Sequence, residues 1–234
     1  MRIVIIILLG LFSIQLNAQI METIEKITWY GQAAVKIDHQ GQIIMIDPYQ
    51  LSVKIEADIV LITHSHGDHL SITDIKKVAG DQTTFVCPLD CKEALVEAGY
   101  EQIITVSPGD KIEVKGTEIT AVPMYNVIKT NYHPRENDWT GYILNVDGVK
   151  VYHAGDTERI PEMKGLDCDI VMLPLGQTYT MNSVEEAAAA ALDTGADIAI
   201  PIHYGMYEGT VEDAARFKEL LTGKMQVVIL EQAR

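Results

Sequence analysis

The segment Thr63-His64-Ser65-His66-Gly67-Asp68-His69 concentrates three imidazoles and one carboxylate between His64 and His69. Imidazole and carboxylate are good ligands for zinc and similar divalent ions, and a solvated loop has no need of such a cluster. His64 and His66 stand two apart, so an extended turn can point both into one pocket. Asp68 and His69 follow at once and can serve a second ion. Two distant segments offer the same chemistry. His153-Ala154-Gly155-Asp156-Thr157 supplies a carboxylate whose two oxygens can bridge a pair of ions, and Pro201-Ile202-His203-Tyr204-Gly205 supplies a further imidazole. Alone, Asp156 reads as a turn residue and His203 as a satisfied core histidine. With the first cluster, all become candidate ligands: His64, His66, Asp68, His69, Asp156 and His203.

Such side chains need rigid supports, and strands precede each group. Asp58 to Thr63 reads as a buried strand running into the histidines, with a helix from Ser71 to Ala79 after it, capped by Ser71 and Asp74 and stopped by Gly80. Val149 to His153 pairs with Gly141 to Val146 around the turn Asp147-Gly148, placing Asp156 just past a strand end. Ala196 to Ile202 is a buried strand that delivers His203. Elsewhere, strands are expected at Ile24 to Trp29, Ala33 to Asp38, Gln42 to Ile46, Thr83 to Cys87, Gln102 to Val106, Lys111 to Val114, Thr117 to Met124, Asp169 to Leu173 and Gln226 to Leu230. Helices are expected at Leu89 to Ala98, Val184 to Asp193 and Val211 to Leu221. Each half of the chain therefore begins with hairpins and continues with alternating helices and strands. That order suggests two sheets face to face with helices outside.

The 234 residues suffice for one well-buried domain. A formal net charge of -15 argues against gripping nucleic acid, which relies on Lys and Arg to neutralise phosphates. Arg2, the apolar run Ile3 to Phe12 and the sequence Leu16-Asn17-Ala18 read as a signal peptide over residues 1–18, cleaved before Gln19. The run is shorter than the ~20 residues of a spanning helix. Residues 19–234 are then a single domain, periplasmic or secreted, with no stable membrane insertion. Cys87, Cys91 and Cys168 read as small buried thiols, not as a disulfide framework.

The pattern His-x-His-x-Asp-His, then Gly-Asp-Thr, then His-Tyr-Gly resembles the metallo-β-lactamase superfamily. Within it, the chain is most similar to small bacterial metal-dependent hydrolases related to ascorbate-6-phosphate lactonase. Trp29-Tyr30-Gly31, Ile46-Asp47-Pro48, Tyr152 to Thr157 and Thr180-Met181 extend the likeness over nearly all of residues 19–234. The resemblance implies an α+β fold, a four-layer αββα sandwich of the metallo-β-lactamase type, with two divalent metal ions at one sheet edge: zinc first, manganese as the alternative. By position, His64 and His66 would hold one ion, Asp68, His69 and His203 the other, and Asp156 would bridge. Asp47 would orient a ligand histidine from behind. Relatives carry another histidine after the strand Thr117 to Met124, where this chain has Asn126. Either His133 folds back to complete the first set, or Asn126 stands behind it as a weak ligand, or that set is only partly occupied. Gln32 replaces the histidine common after Gly31.

The polar segment Tyr125 to Thr140 reads as a loop over the site, and its basic residues Lys129, His133 and Arg135 are candidates to bind a substrate phosphate or carboxylate. His39 reads as a surface turn residue and His153 as a support for the Asp156 turn. The expected function is hydrolysis of a small ester, lactone or phosphoester by hydroxide generated between two ions, with Asp68 as the residue that orients the nucleophile or accepts its proton. His203, Tyr179 and Tyr204 are candidates to stand near the leaving group. The expected partner is a small molecule, anionic if the loop cations serve it; a homo-oligomer is compatible with the sequence. The competing reading is a metal-binding or ligand-sensing protein without catalysis, kept open by Asn126, since fold does not fix function.

Overall fold

The structure, a computed structural model, describes residue 15 and residues 17–233. Arg2 and the apolar run expected to direct export lie outside the described residues. The chain opens with a helix, α1 (residues 17–25), where a strand was expected from Ile24. Helical spacing explains the difference: Ile20, Thr23 and Ile24 fall at i, i+3 and i+4, and all three are buried.

The first sheet contains β1 (Ile27–Gly31), β2 (Ala34–His39), β3 (Gln42–Ile46), β4 (Ala57–Leu61), β5 (Ala79–Cys87) and β6 (Ile103–Thr105), in that order. The second contains β7 (Lys111–Val114), β8 (Thr117–Pro123), β9 (Thr140–Val146), β10 (Val149–His153), β11 (Ile170–Pro174), β12 (Ile198–Ile202) and β13 (Gln226–Val227), also in chain order. In each sheet the early strands pair antiparallel and the later ones parallel, the change falling at β3/β4 and at β10/β11. The two halves thus repeat one plan, as the order of hairpins and helices suggested.

Alternation along the strands assigns the layers. Val35, Ile37, Ile44, Ile46, Ile59 and Leu61 point into the core shared with the second sheet, where they meet residues such as Ala121, Tyr142, Leu144 and Val151. Their neighbours Ala34, Met45, Val60, Ile62 and Phe85 face the other way, under α2 (Ile72–Val78) and α3 (Lys92–Glu97). Small and apolar residues of α4 (Val184–Thr194) and α5 (Val211–Leu221), among them Ala187, Ala191, Ala214 and Phe217, cover the second sheet. The result is the four-layer αββα sandwich.

Caps hold several of these elements in place. Ser71 accepts from the backbone N–H of Asp74 at the start of α2, and Ser183 from that of Glu186 at the start of α4. Gly80 does not stop α2: Ala79 already has extended geometry and the chain passes straight into β5. The turn of β9 and β10 has Asp147 at φ 54° and Gly148 at φ 88°, the left-handed pair a two-residue hairpin requires. The closing strand β13 is only two residues long. His39 is buried beside Asp147 at 3.5 Å, not exposed on a turn. The three cysteines are buried free thiols. Among the described residues, no helix is long and apolar enough to cross a membrane.

Candidate metal centre

Three backbone and side-chain bonds stitch the two sheets together where the candidate residues emerge. Thr140 N–H donates to Thr63 O at 3.1 Å and Tyr142 Oη to Ile62 O at 2.7 Å, just past β4. His203 N–H donates to Gln32 O at 2.8 Å, joining the loop after β12 to the turn after β1. His203 and Gln32 both have positive φ, 59° and 48°, unusual for residues with a Cβ. That shared bond holds two strained residues against one another. At Gly155 (φ 64°) an added Cβ would lie 2.5 Å from Met124 Sδ, so the turn that presents Asp156 admits only glycine.

The structure brings the six candidate ligands and His133 into one cluster. His64, His66 and His133 each offer a ring nitrogen, and Asp68, His69, Asp156 and His203 each offer a ligand atom; within each set the atoms lie within 4.8 Å of one another. Asp156 stands between the sets. Its Oδ2 is 3.0 Å from His203 Nε2, 3.2 Å from His69 Nε2 and 3.7 Å from His133 Nε2. The loop of residues 126–133 folds back on itself through the bond from Asn126 N–H to His133 O at 2.8 Å. His133 therefore takes the place left open in the first set. Asn126 is turned away, its amide donating to Lys129 O and Tyr179 O.

The electrostatics of the two sets differ. Burial drives His64 well below the ordinary histidine pKa, and it lowers His66 and takes His133 down to about 4. These imidazoles are neutral at pH 7, with lone pairs available. In the other set burial opposes charge but loses. Asp156 and Asp47 raise His69 well above its usual value, and Asp156 and Glu208 raise His203 to about 9. Burial likewise works against ionising Asp156, yet His203 and His69 hold its carboxyl well below the carboxylate range.

The cluster fits divalent cations on its own atoms. His69 Nε2, both ring nitrogens of His133 and Asp156 Oδ1 are buried without a hydrogen-bond partner. Buried polar atoms are normally satisfied, and a cation bound through Asp156 Oδ1, His69 Nε2 and one nitrogen of His133 would satisfy those atoms. Two carboxylates and neutral imidazoles, with no cysteine among them, suit ions of the zinc or manganese kind.

Residues behind the ligands fix their orientation. Asp47 Oδ2 accepts from His69 Nδ1 at 2.8 Å and from Thr63 Oγ1 at 2.6 Å, while Oδ1 accepts from Thr63 N–H at 2.8 Å. Glu208 was not singled out in the sequence, yet its carboxylate lies 3.1 Å from His203 Nδ1 and accepts from Thr178 N–H, Tyr179 N–H and Thr180 Oγ1. A Cβ on Gly176 would sit 1.7 Å from that carboxylate, so Gly176 keeps the space Glu208 occupies. Gln32 Nε2 donates to Asp68 Oδ2 at 2.9 Å and lies 2.6 Å from His203 Nε2. Trp139 packs its ring 4.9 Å from both His64 and His66 and donates from Nε1 to Asp90 at 2.8 Å. Of these, Asp47 and Gln32 had a sequence signal, the first in Ile46-Asp47-Pro48 and the second directly after Gly31. The N–H and hydroxyl donors that hold Glu208 lie 28 to 30 positions away and leave no local mark.

The remaining candidates go elsewhere. Lys129 does not line the cavity over the cluster; its ammonium donates to Gln177 O and Met181 O. Arg135 is paired with Glu162 at 2.8 Å and lies over the Tyr125 ring, also outside that cavity. Glu158 accepts from the N–H groups of Val127, Ile128 and Lys129 and so holds the loop in place. His153 accepts from Gly155 N–H and lies 2.9 Å from Ala33 O, supporting the Asp156 turn. Tyr204 is buried against Trp29, whereas Tyr179 lines the cavity.

Comparison with known proteins places this geometry in context. A family model described as the β-lactamase superfamily domain matches residues 26–203. A UPF0173 metal-dependent hydrolase of Methanopyrus kandleri is 32% identical over 225 residues, covering 88% of this chain and 96% of that protein. Its counterpart in Methanosphaerula palustris is 34% identical over 221 residues, with coverage of 88% and 96%. A crystal structure from Parabacteroides distasonis, of a protein assigned as a metal-dependent hydrolase, superposes with a TM-score of 0.77 at 35% identity, covering 88% of this chain and 93% of that one.

Proposed function

The chain belongs to the metallo-β-lactamase superfamily, and on that premise we propose that it hydrolyses a small ester, lactone or phosphoester with two divalent ions, zinc first and manganese as the alternative. The observation that carries this reading is Asp156, a buried carboxylate between two ligand sets, with one oxygen near histidines of both and the other without a partner. His64, His66 and His133 would hold one ion; Asp68, His69 and His203 would hold the other. Bound there, divalent ions would supply a water of lowered pKa and polarise the substrate oxygen.

The protein's own residues do the rest. Asp68 lines the cavity and is partly exposed, so it is the carboxylate positioned to hold the attacking water and take its proton. Gln32 fixes the Asp68 carboxylate by its amide bond. Asp47 and Glu208 hold the rings of His69 and His203 by Nδ1, which leaves each Nε2 directed at Asp156. Tyr179 is the wall residue placed to meet the leaving group. The binding-protein reading drew on an incomplete first set, and the position of His133 beside His64 and His66 supports the hydrolase reading instead. The N-terminal sequence further supports export to the periplasm or medium, checked by whether the mature chain starts at Gln19.

The test is a hydrolysis screen of zinc- and manganese-loaded protein against lactones, carboxylic esters, phosphomonoesters and phosphodiesters, with His66→Ala as control. Hydrolysis of one class, two ions per chain, and loss of both in the control are expected. Full metal content and activity in His66→Ala would sink the site assignment.

A further inference from the structure

The cavity over the cluster encloses 390 Å³, and its wall differs from what the basic loop above it suggested. Every acidic or imidazole side chain in the wall belongs to the ligand cluster. The rest of the lining is Gln32, Gly67 and four tyrosines: Tyr49, Tyr132, Tyr179 and Tyr207. Among the described residues, no Lys or Arg lines it. The tyrosines come from four separate segments, after β3, in the loop between β8 and β9, after β11 and after β12. They meet in pairs: Tyr132 and Tyr179 edge to face with centroids 5.0 Å apart, Tyr49 and Tyr207 through their hydroxyls with centroids 6.3 Å apart.

Four unrelated loops converging on aromatic residues make a wall suited to a flat apolar group, which stacks on or abuts tyrosine rings. The same wall is poor for an anion. A phosphate or carboxylate remote from the reacting bond needs a cation, and the two nearest in sequence are committed, Lys129 to carbonyls and Arg135 to Glu162. The protein's net charge of -15 adds long-range repulsion. Resting on the hydrolase reading above, we propose that the substrate is an uncharged ester or lactone bearing an aromatic or similarly flat group, held by the four tyrosines. Its hydrolysis breaks the acyl C–O bond and forms another to the water oxygen. The leaving alkoxide takes the proton that the water gives up, so no other reactant is needed.

Three matched probes test this on the zinc-loaded protein: methyl phenylacetate, its 4-carboxy derivative and methyl propanoate, each rate divided by that with free hydroxide. Methyl phenylacetate should exceed both others by about tenfold in kcat/KM. Tyr132→Ser and Tyr207→Ser should each raise its KM about five-fold, leave kcat within about twofold, and leave methyl propanoate unchanged. Added salt should speed the 4-carboxy ester and not the neutral pair. Equal or faster turnover of the 4-carboxy ester, or tyrosine variants that treat all three probes alike, overturns the proposal. Hydrolysis of phosphoesters with none of these esters turned over overturns it too, but leaves the hydrolase reading standing. Binding of methyl phenylacetate to His66→Ala, followed by tyrosine fluorescence, reads the wall without turnover. Binding there, with no hydrolysis of any screened class by the unaltered metal-loaded protein, would break the hydrolase reading and keep the aromatic wall; no binding there would remove the wall as well.

Discussion

The two halves of the metal centre are built from different materials. His64, His66 and His133 form an all-imidazole set, kept neutral by burial and packed against Trp139. Asp68, His69, Asp156 and His203 form a charged set, with Asp47 behind one histidine and Glu208 behind the other. A carboxylate on the far nitrogen fixes the ring and raises its basicity; His64 has only the Thr63 hydroxyl at 3.0 Å. The charged half is therefore expected to hold a cation the more tightly, and the imidazole half is the one a chelator should empty first. Asp156 ties them together.

Breaking that tie should have the largest effect. Asp156→Ala removes the only carboxylate, among the described residues, within 4.0 Å of histidines of both sets. Loss of metal-assisted stabilisation, worth several kcal/mol, corresponds to a fall in kcat/KM of about a thousandfold or more. Metal analysis by mass spectrometry should show fewer than two ions per chain. Two retained ions with near-normal turnover would show that Asp156 does not join the halves.

A smaller change should distinguish them. Glu208→Gln leaves His203 facing an amide, and Gly176→Ala intrudes on the same carboxylate. Either should weaken the charged half by roughly 10–100-fold in metal affinity. His133→Ala should instead leave one ion tightly held, in the charged half. Competition with a metal-sensitive dye separates these outcomes; identical losses from both changes would mean the halves are not distinct sites.

The asymmetry was only partly legible in the sequence. The run from His64 to His69 is local, and its spacing alone indicates ligands. Asp156 and His203 could be recognised because each follows a strand of buried residues. His133 could not be chosen over Asn126, because what decides between them is a loop folding back on itself while Glu158 holds its N–H groups from 29 to 31 positions away. Lys129 and Arg135 looked available for the same reason: Gln177, Met181 and Glu162, which occupy them, are distant in the chain. The layers were legible from strand alternation. The start was not, because Ile24 continues a helical stripe from Ile20 that a β-rich reading joined to the next strand.

The subtlest expected effect is on the pH dependence of stability in the metal-free protein, and the halves should act in opposite directions. His133 has a folded pKa of about 4 against 6.5 in its ordinary state. The unfolded chain thus binds more protons between those values, and stability falls as the pH drops from 6.5 towards 4. His203 is raised to about 9 from the same reference. Its contribution is fully present below 6.5 and is lost as the pH rises through 9. Urea unfolding of metal-free protein across pH 4–9 should show both slopes. His133→Asn should flatten the acid one and His203→Gln the alkaline one, each sparing the other. A His133 variant that altered only the alkaline slope would invert the assignment of neutral and charged halves. Zinc should suppress both slopes, since an ion on these nitrogens excludes the protons that produce them.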